Sequence, residues 1–461
     1  MNRIFTFLSV FALLAASGCR NDFLDVKPDT NIIQPETLDD FEGLLENTNI
    51  LGSSALPTLS ADEYEFLSYE IYQSARRAAE RNAYIWNRDI FGGEIDAGDW
   101  STPYECIFYA NSVLAGLAKM TPSQNERDHF NFLKGWALFH RAFAYYDLVS
   151  NFAQAFDEAS ADNDPGVPLK TNPSIEDIQP RASVRRTYDL ILSDLQQSAA
   201  LLSAAPSANN RNRPSKTASY ALMARVYLSM RKYDLAELQA DSSLSLYNKL
   251  IDYNTVSQTS TTPFAITNDE LIFRKTTTTD YTSINLSPGN RYYTISPALR
   301  QLYHADDLRP LIYFRRQNSG AYTMKMMYNG STSLYSFTGL ATGEVYLIKA
   351  ECAVRRHDLS ESLSFLNALL VKRYKKSSFV PFDTANEDVL LARILEERRK
   401  ELIWRGLRWT DLKRLNKEGA NITLTRELNG TRYTLPPNDP RYVFPIPDHE
   451  ITRSGIPQNP R

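Results

Sequence analysis

Across residues 216–247 the chain places Tyr220, Ala224 and Tyr227, then a short turn, then Tyr233 and Ala236. Large, small, large, turn, large, small is the spacing of a tetratricopeptide-type helix pair. The alanines let two antiparallel helices approach closely, and the tyrosines fill the space beside them. One such pair cannot bury its own apolar face and needs neighbours of the same kind. Residues 343–373 echo the pattern through Tyr346, Ala350, Ala353, Leu359 and Leu366, as a degraded copy without the second tyrosine and second alanine. Residues 385–415 read as a final pair.

Upstream, Trp100, Tyr104, Ile107, Phe108, Asn111, Leu114 and Leu117 fall at helical spacing. Residues 129–152 form the longest clean amphipathic helix, carrying Phe132, Trp136, Phe139, Phe143, Tyr146 and Val149. Residues 183–202 predict another, with Ser183 as its N-cap. A short helix over 35–45 sets Leu38, Phe41, Leu44 and Leu45 on one face. Proline-bearing residues 157–181 read as a loop, and the proline-rich tail, 416–461, is expected to wrap back over the helices. Between the pairs, residues 250–340 are rich in Thr, Ser, Asn and Tyr, with prolines at 263, 288, 297 and 310. Loops of that length are uncommon unless functional. The predicted fold class is therefore mostly α: tetratricopeptide-like helix pairs, with an irregular lobe at about 250–340 that holds a few short strands.

The N-terminus sets where such a body works. Arg3 precedes an apolar run over 4–16, and Ala16-Ser17-Gly18 leads into Cys19. A charged start, a short apolar core and small residues make a secretory signal peptide. The cysteine makes it resemble the lipobox of bacterial lipoproteins, with Ala16 where leucine is commoner. That resemblance implies that Cys19 is diacylated and begins the mature chain; the alternative is an ordinary cleaved signal with a chance cysteine. The expected division is a lipoprotein signal at 1–18, a lipidated tether at 19–35 and a single body at 36–461. Two or three acyl chains, at ~0.8 kcal/mol per buried methylene, anchor a protein lastingly. No apolar run after Ala16 approaches the ~20 residues needed to span a bilayer.

Other chemistry is hard to place. Lys+Arg 51 against Asp+Glu 54 leaves a net charge of -3, which argues against a nucleic-acid partner. The sequence has no HExxH, CxxC, P-loop or GxSxG. Its histidines, at 129, 140, 304, 357 and 449, never fall at ligand spacing, so neither a metal site nor a cofactor is expected. Cys106 and Cys352 sit in apolar helical patterns and read as buried thiols rather than a disulfide. Asp306-Asp307 has a structural reading. The run Glu396-Glu397-Arg398-Arg399-Lys400-Glu401 reads as a helix surface, with Glu396 and Lys400 at the favourable i, i+4 spacing.

Four segments together resemble the SusD/RagB family of outer-membrane nutrient-binding lipoproteins. They are the lipobox followed by Asp22-Phe23-Leu24-Asp25; Trp100-x3-Tyr104-x2-Ile107-x3-Asn111-x2-Leu114; and Tyr346-Leu347-Ile348-Lys349-Ala350-Glu351, running on to Leu366-Asn367 and Arg373. The fourth is Glu396-Glu397-Arg398-Arg399-Lys400-Glu401-Leu402, then Arg405-Gly406-Leu407-Arg408-Trp409-x-Asp411-Leu412-Lys413-Arg414, with Phe444-Pro445-Ile446-Pro447 and Gln458-Asn459-Pro460 closing the chain.

The resemblance implies four tetratricopeptide-like pairs, stacked as an α-α superhelix that scaffolds the irregular ligand-binding lobe, an outer-membrane, cell-surface location, and capture of glycans or, in some members, peptides. It also implies delivery to a SusC-like TonB-dependent barrel and no catalysis. The motifs are scaffold residues and name no site. With 26 Tyr, 22 Phe and 5 Trp available, sugar C–H faces have rings to stack on. Tyr281, Tyr292, Tyr293, Tyr322, Tyr328 and Tyr335 are nominated because no helix face claims them, and Trp86 and Trp100 beside them; Tyr64, Tyr69 and Tyr72 are outsiders. A periplasmic tetratricopeptide scaffold and a surface glycosidase remain the rival readings.

Overall fold

Thr37 opens the first helix, α1 (Leu38–Leu45), with a capping box in which its side chain and that of Asp40 each accept the other's backbone N–H. The computed structural model describes residues 35–461 apart from 96, 278–280 and 331–332. Cys19, the apolar leader and the segment Phe23-Leu24-Asp25 lie outside the described residues. Among these, no helix is long and apolar enough to cross a membrane.

The helical half follows the sequence pattern. Helix α1 packs on α2 (Gly98–Leu117) and α3 (Arg127–Phe152). The approach to α2 requires Gly116, because a Cβ there would overlap the Phe41 ring. Helix α3 is buried almost all round beyond Leu133, the pattern of a central core helix. Helix α4 (Val184–Leu201) starts where Ser183 accepts the Arg186 N–H, as its N-cap spacing predicts. Then come α5 (Lys216–Ser229) and α6 (Tyr233–Leu246), whose Ala224 and Ala236 are fully buried. Helices α7 (Thr342–Arg355) and α8 (Leu359–Leu370) form the degraded copy. Each successive helix from α2 to α8 packs on the one before it.

The last stretch departs from the expected pair. Helix α9 (Glu387–Glu401) packs on α7 and α8, whereas α10 (Arg408–Lys417) turns back against α5 and the short helix Leu56–Ser60. The charged run on α9 is not a solvated surface either: Glu397, Lys400 and Glu401 are 0% exposed. Lys400 pairs with Glu396 and Glu397 on α9 itself, and further partners come from elsewhere. Arg309 reaches Asp307 at 2.6 Å, Glu397 at 2.5 Å and Glu401 at 3.4 Å, and Arg373 reaches Glu270 at 2.7 Å and Glu401 at 2.9 Å. Once desolvated, such charges are tolerated only while paired and hydrogen-bonded. The network thus bolts Glu270, Asp307 and Arg309 to the end of α9.

The irregular half is not a free-standing lobe. Residues 52–53 pair in parallel with 276–277, and β1 (Tyr64–Phe66) runs antiparallel to β2 (Tyr293–Ile295). Strand β3 (Phe314–Arg316) forms a hairpin with β4 (Tyr322–Met324), and 271–273 pair with 340–341. Residues 52–53 and 64–66 are therefore knitted to 276–277 and 293–295. Trp404, just past α9 with φ 64°, fixes that half to the helices. Its N–H donates to Glu63, its indole N–H donates to the Ile284 carbonyl at 3.2 Å, and its ring stacks on Tyr293 at 4.8 Å.

The proline-bearing loop carries a strand, Pro165–Pro168, paired with Arg181–Ser183. The tail forms a hairpin, Leu424–Leu428 with Thr431–Leu435, and a short helix, α11 (Asp448–Ser454). It returns to α3, where the Asn459 amide donates to the Phe152 carbonyl at 2.9 Å and the Phe444 N–H to the Asn151 carbonyl at 3.0 Å. Cys106 and Cys352 are buried free thiols.

Candidate functional site

Of the aromatics that the sequence nominates, Trp86, Tyr281, Tyr293 and Tyr328 are core residues, which corrects the expectation that they meet a ligand. Trp86 is 2% exposed, donates to the Ser60 carbonyl at 3.0 Å and lies against the Arg426 guanidinium. The Tyr281 hydroxyl donates to Asp99 at 2.6 Å, and that of Tyr328 to Glu270 at 2.5 Å. The Tyr293 hydroxyl accepts the Met324 N–H at 3.1 Å. Burial pushes all three phenols above their ordinary range. Polar surroundings in the sequence misled here, because a tyrosine can be buried whole once its hydroxyl finds a partner.

Tyr292, Tyr322 and Tyr335 remain partly or largely open. The first two share one face, and its geometry follows from strand register. Glu65 lies opposite Thr294 across β1 and β2. The Tyr322 N–H donates to Thr294 Oγ1 at 3.0 Å, joining β4 to β2, and Arg316 lies opposite Tyr322 across the hairpin. Glu65, Thr294, Tyr322 and Arg316 therefore form a row across four strands. Because side chains alternate along a strand, this row points out while Tyr64, Phe66, Tyr293 and Ile295 point in. The Leu67 N–H donates to the Tyr292 carbonyl at 3.1 Å, which sets exposed Leu67 beside Tyr292. The Arg300 guanidinium lies 4.3 Å from the Tyr322 ring centroid and covers one of its faces. Beneath the row, Tyr64 packs edge-on to Tyr293 at 5.9 Å and to Trp404 at 5.7 Å, so the face rests on rigid aromatic packing.

Such a face offers half-exposed rings for C–H contacts, with carboxylate, guanidinium and hydroxyl groups beside them for hydrogen bonds. The residues that sequence reasoning missed, Glu65, Leu67, Thr294, Arg300 and Arg316, carried one usable signal: alternation in Tyr64-Glu65-Phe66 and Tyr293-Thr294-Ile295. Of the outsiders, Tyr64 and Tyr72 are buried, while Tyr69 is half-open and stacks on Tyr72 at 6.0 Å.

Trp100 is a core residue too, only 2% exposed, and forms the back of a different feature, a groove of about 360 Å³ between α2, the loop 168–179 and α11. His129 meets Asp39 and Glu42 closely enough to hold a cation, a grouping that spacing along the chain does not reveal. His129 Nε2 lies 2.6 Å from Glu42 Oε2, and Arg213 sits 2.5 Å from Glu42 Oε1, so an ion-paired cluster accounts for the site. Asp307 is structural as its sequence context suggests, buried on Arg309.

Residues 22–228 match a family described as "Starch-binding associating with outer membrane", and residues 264–461 match the "SusD family". No curated protein matches the chain. Among solved structures, a putative sugar-binding protein from Bacteroides vulgatus superposes with a TM-score of 0.75 at 22% identity, covering 93% of this chain and 99% of its own. A superfamily member from Bacteroides thetaiotaomicron gives a TM-score of 0.74 at 20% identity over 92% and 100% of the two chains. A "SusD-like carbohydrate binding protein" from Bacteroides vulgatus gives 0.68 at 18% identity over 91% and 97%. At these identities the likeness is one of fold: mostly helical, with short strands.

Proposed function

Because this chain belongs to the SusD/RagB family, we propose that it captures carbohydrate at the cell surface without altering it and hands it to a SusC-like TonB-dependent barrel in the outer membrane. In this reading Cys19 carries the lipid anchor, and the outward face of β1–β4, with Tyr292 and Tyr322 at its centre, contacts the glycan. The match of both halves of the chain to that family carries the proposal. The row of exposed side chains supports its placement, since a polysaccharide can lie along such a face with its sugar C–H surfaces on the tyrosines.

A thermal-shift screen against polysaccharides, oligosaccharides and peptide mixtures tests it, with product analysis of every hit. Ligand at about a hundred times its Kd stabilises the folded state by ~2.7 kcal/mol, enough to read as a raised Tm. The expected result is a glycan recovered intact whose affinity falls at least tenfold in Tyr292→Ala and Tyr322→Ala, with the unliganded Tm little changed. Cleaved products, or hits confined to peptides, would overturn it.

A further inference from the structure

We propose that the groove between α2, the loop 168–179 and α11 is a second carbohydrate site, taking one or two neutral sugar units. The inference rests on the carbohydrate reading above but on none of the same residues. Trp100, Tyr104 and Phe108 stand four residues apart on α2 along one wall, with Tyr104 and Phe108 partly exposed and Trp100, 2% exposed, buried at its back. Trp100 and Tyr104 lie 5.0 Å apart between centroids, and Trp100 is backed edge-on by Phe152 at 5.0 Å. This aromatic wall cannot collapse inward. The facing loop is held by its own carbonyls. The Tyr104 hydroxyl donates to Pro168 at 3.0 Å, the Asn111 amide to Lys170 at 3.0 Å and Asn172 at 3.3 Å, and the Tyr145 hydroxyl to Lys170 at 2.7 Å. Arg453 on α11 reaches the Ile175 carbonyl at 3.4 Å from the other side. The cavity is therefore built before any ligand arrives.

Its chemistry selects a class. About 360 Å³ is within the range of small-ligand pockets, which run from ~300 Å³ upward, and suits one or two sugar rings. Lys170 and Arg453 line the groove together with Glu105 and Glu450, so its cationic and anionic side chains balance. A charged ligand would gain from one pair and lose to the other, whereas hydroxyls can bond both. His449 is also in the lining, and its Nδ1 is buried with no partner among the described residues. Ile175 and Ile178 stand 66% and 55% exposed in the lining, extending the apolar surface beyond the aromatic wall.

The test is titration calorimetry of the purified full-length protein with maltose, cellobiose, lactose and N,N′-diacetylchitobiose. It is repeated on Ser101→Trp, which fills the groove from an exposed position, and on Phe108→Ala. The expected result is binding of at least one disaccharide, weakened tenfold or more by Ser101→Trp and Phe108→Ala. Disaccharide binding that survives both groove variants overturns the proposal. So does the absence of disaccharide binding while polysaccharide still binds the tyrosine face, an outcome that leaves the family function standing. Failure of every glycan would instead remove the carbohydrate reading and this site with it.

Discussion

Replacing Arg309 by methionine removes a fully buried guanidinium from three carboxylates. It now bonds Asp307 through Nε at 2.9 Å and Nη2 at 2.6 Å, Glu397 at 2.5 Å and Glu401 at 3.4 Å, all at zero exposure. The three acceptors suffer unequally. Glu397 keeps Lys400 at 2.5 Å and Arg393 at 2.7 Å, and Glu401 keeps Arg373 at 2.9 Å. Asp307 keeps the backbone N–H of residue 309, which it accepts at 3.0 Å, but its guanidinium partner is gone. Stranding one buried charge costs about 3–5 kcal/mol, so Arg309→Met is expected to lose that much in urea denaturation at pH 7. Adding Asp307→Asn removes the stranded charge and should recover part of the loss, since neutral replacement of a buried pair is often tolerated. Arg185→Ala, which breaks exposed pairs to Glu158 and Asp162, serves as the control and should leave the transition unchanged. A loss below about 1 kcal/mol for Arg309→Met, or a double variant no better than the single, would refute the view that this network bolts the irregular half to α9.

Glu63 is buried beside Trp404, and desolvation pushes its carboxyl from 4.5 to about 8. The folded protein then keeps a proton that the unfolded chain loses above pH 4.5, so this residue erodes stability as pH rises from about 4.5 to 8. Glu63→Gln should therefore gain on the wild type across that window in parallel urea titrations, and a constant difference between them would contradict the assignment. Burial pushes the Cys106 thiol up to about 12 and raises that of Cys352 as well. Both should resist an aromatic disulfide reagent until denaturant is added, as mapped by peptide mass; rapid labelling of either in the native protein would show the helical core to be open.

Much of the scaffold is legible in the sequence because its signals are local. Ala224 and Ala236 announce a close helix contact wherever they occur in that spacing, and Ser183 caps its helix by reaching a backbone N–H three residues on. The interior of α9 is different. Glu397 and Glu401 look like a solvated face until Arg309, 88 residues from Glu397, arrives to neutralise them. The candidate surface shows the same division most sharply. Tyr293-Thr294-Ile295 and Tyr322-Thr323-Met324 are nearly the same triplet, yet Tyr293 is core and Tyr322 is open. Which side of a strand a residue occupies is set by pairing register, and a shift of one residue exchanges the two sides. The sequence by itself determined the helical repeat, its caps and the family. Only the tertiary structure decided which tyrosines face water, because that depends on strands contributed by residues 64–66, 293–295 and 314–324, whose pairing no local pattern specifies.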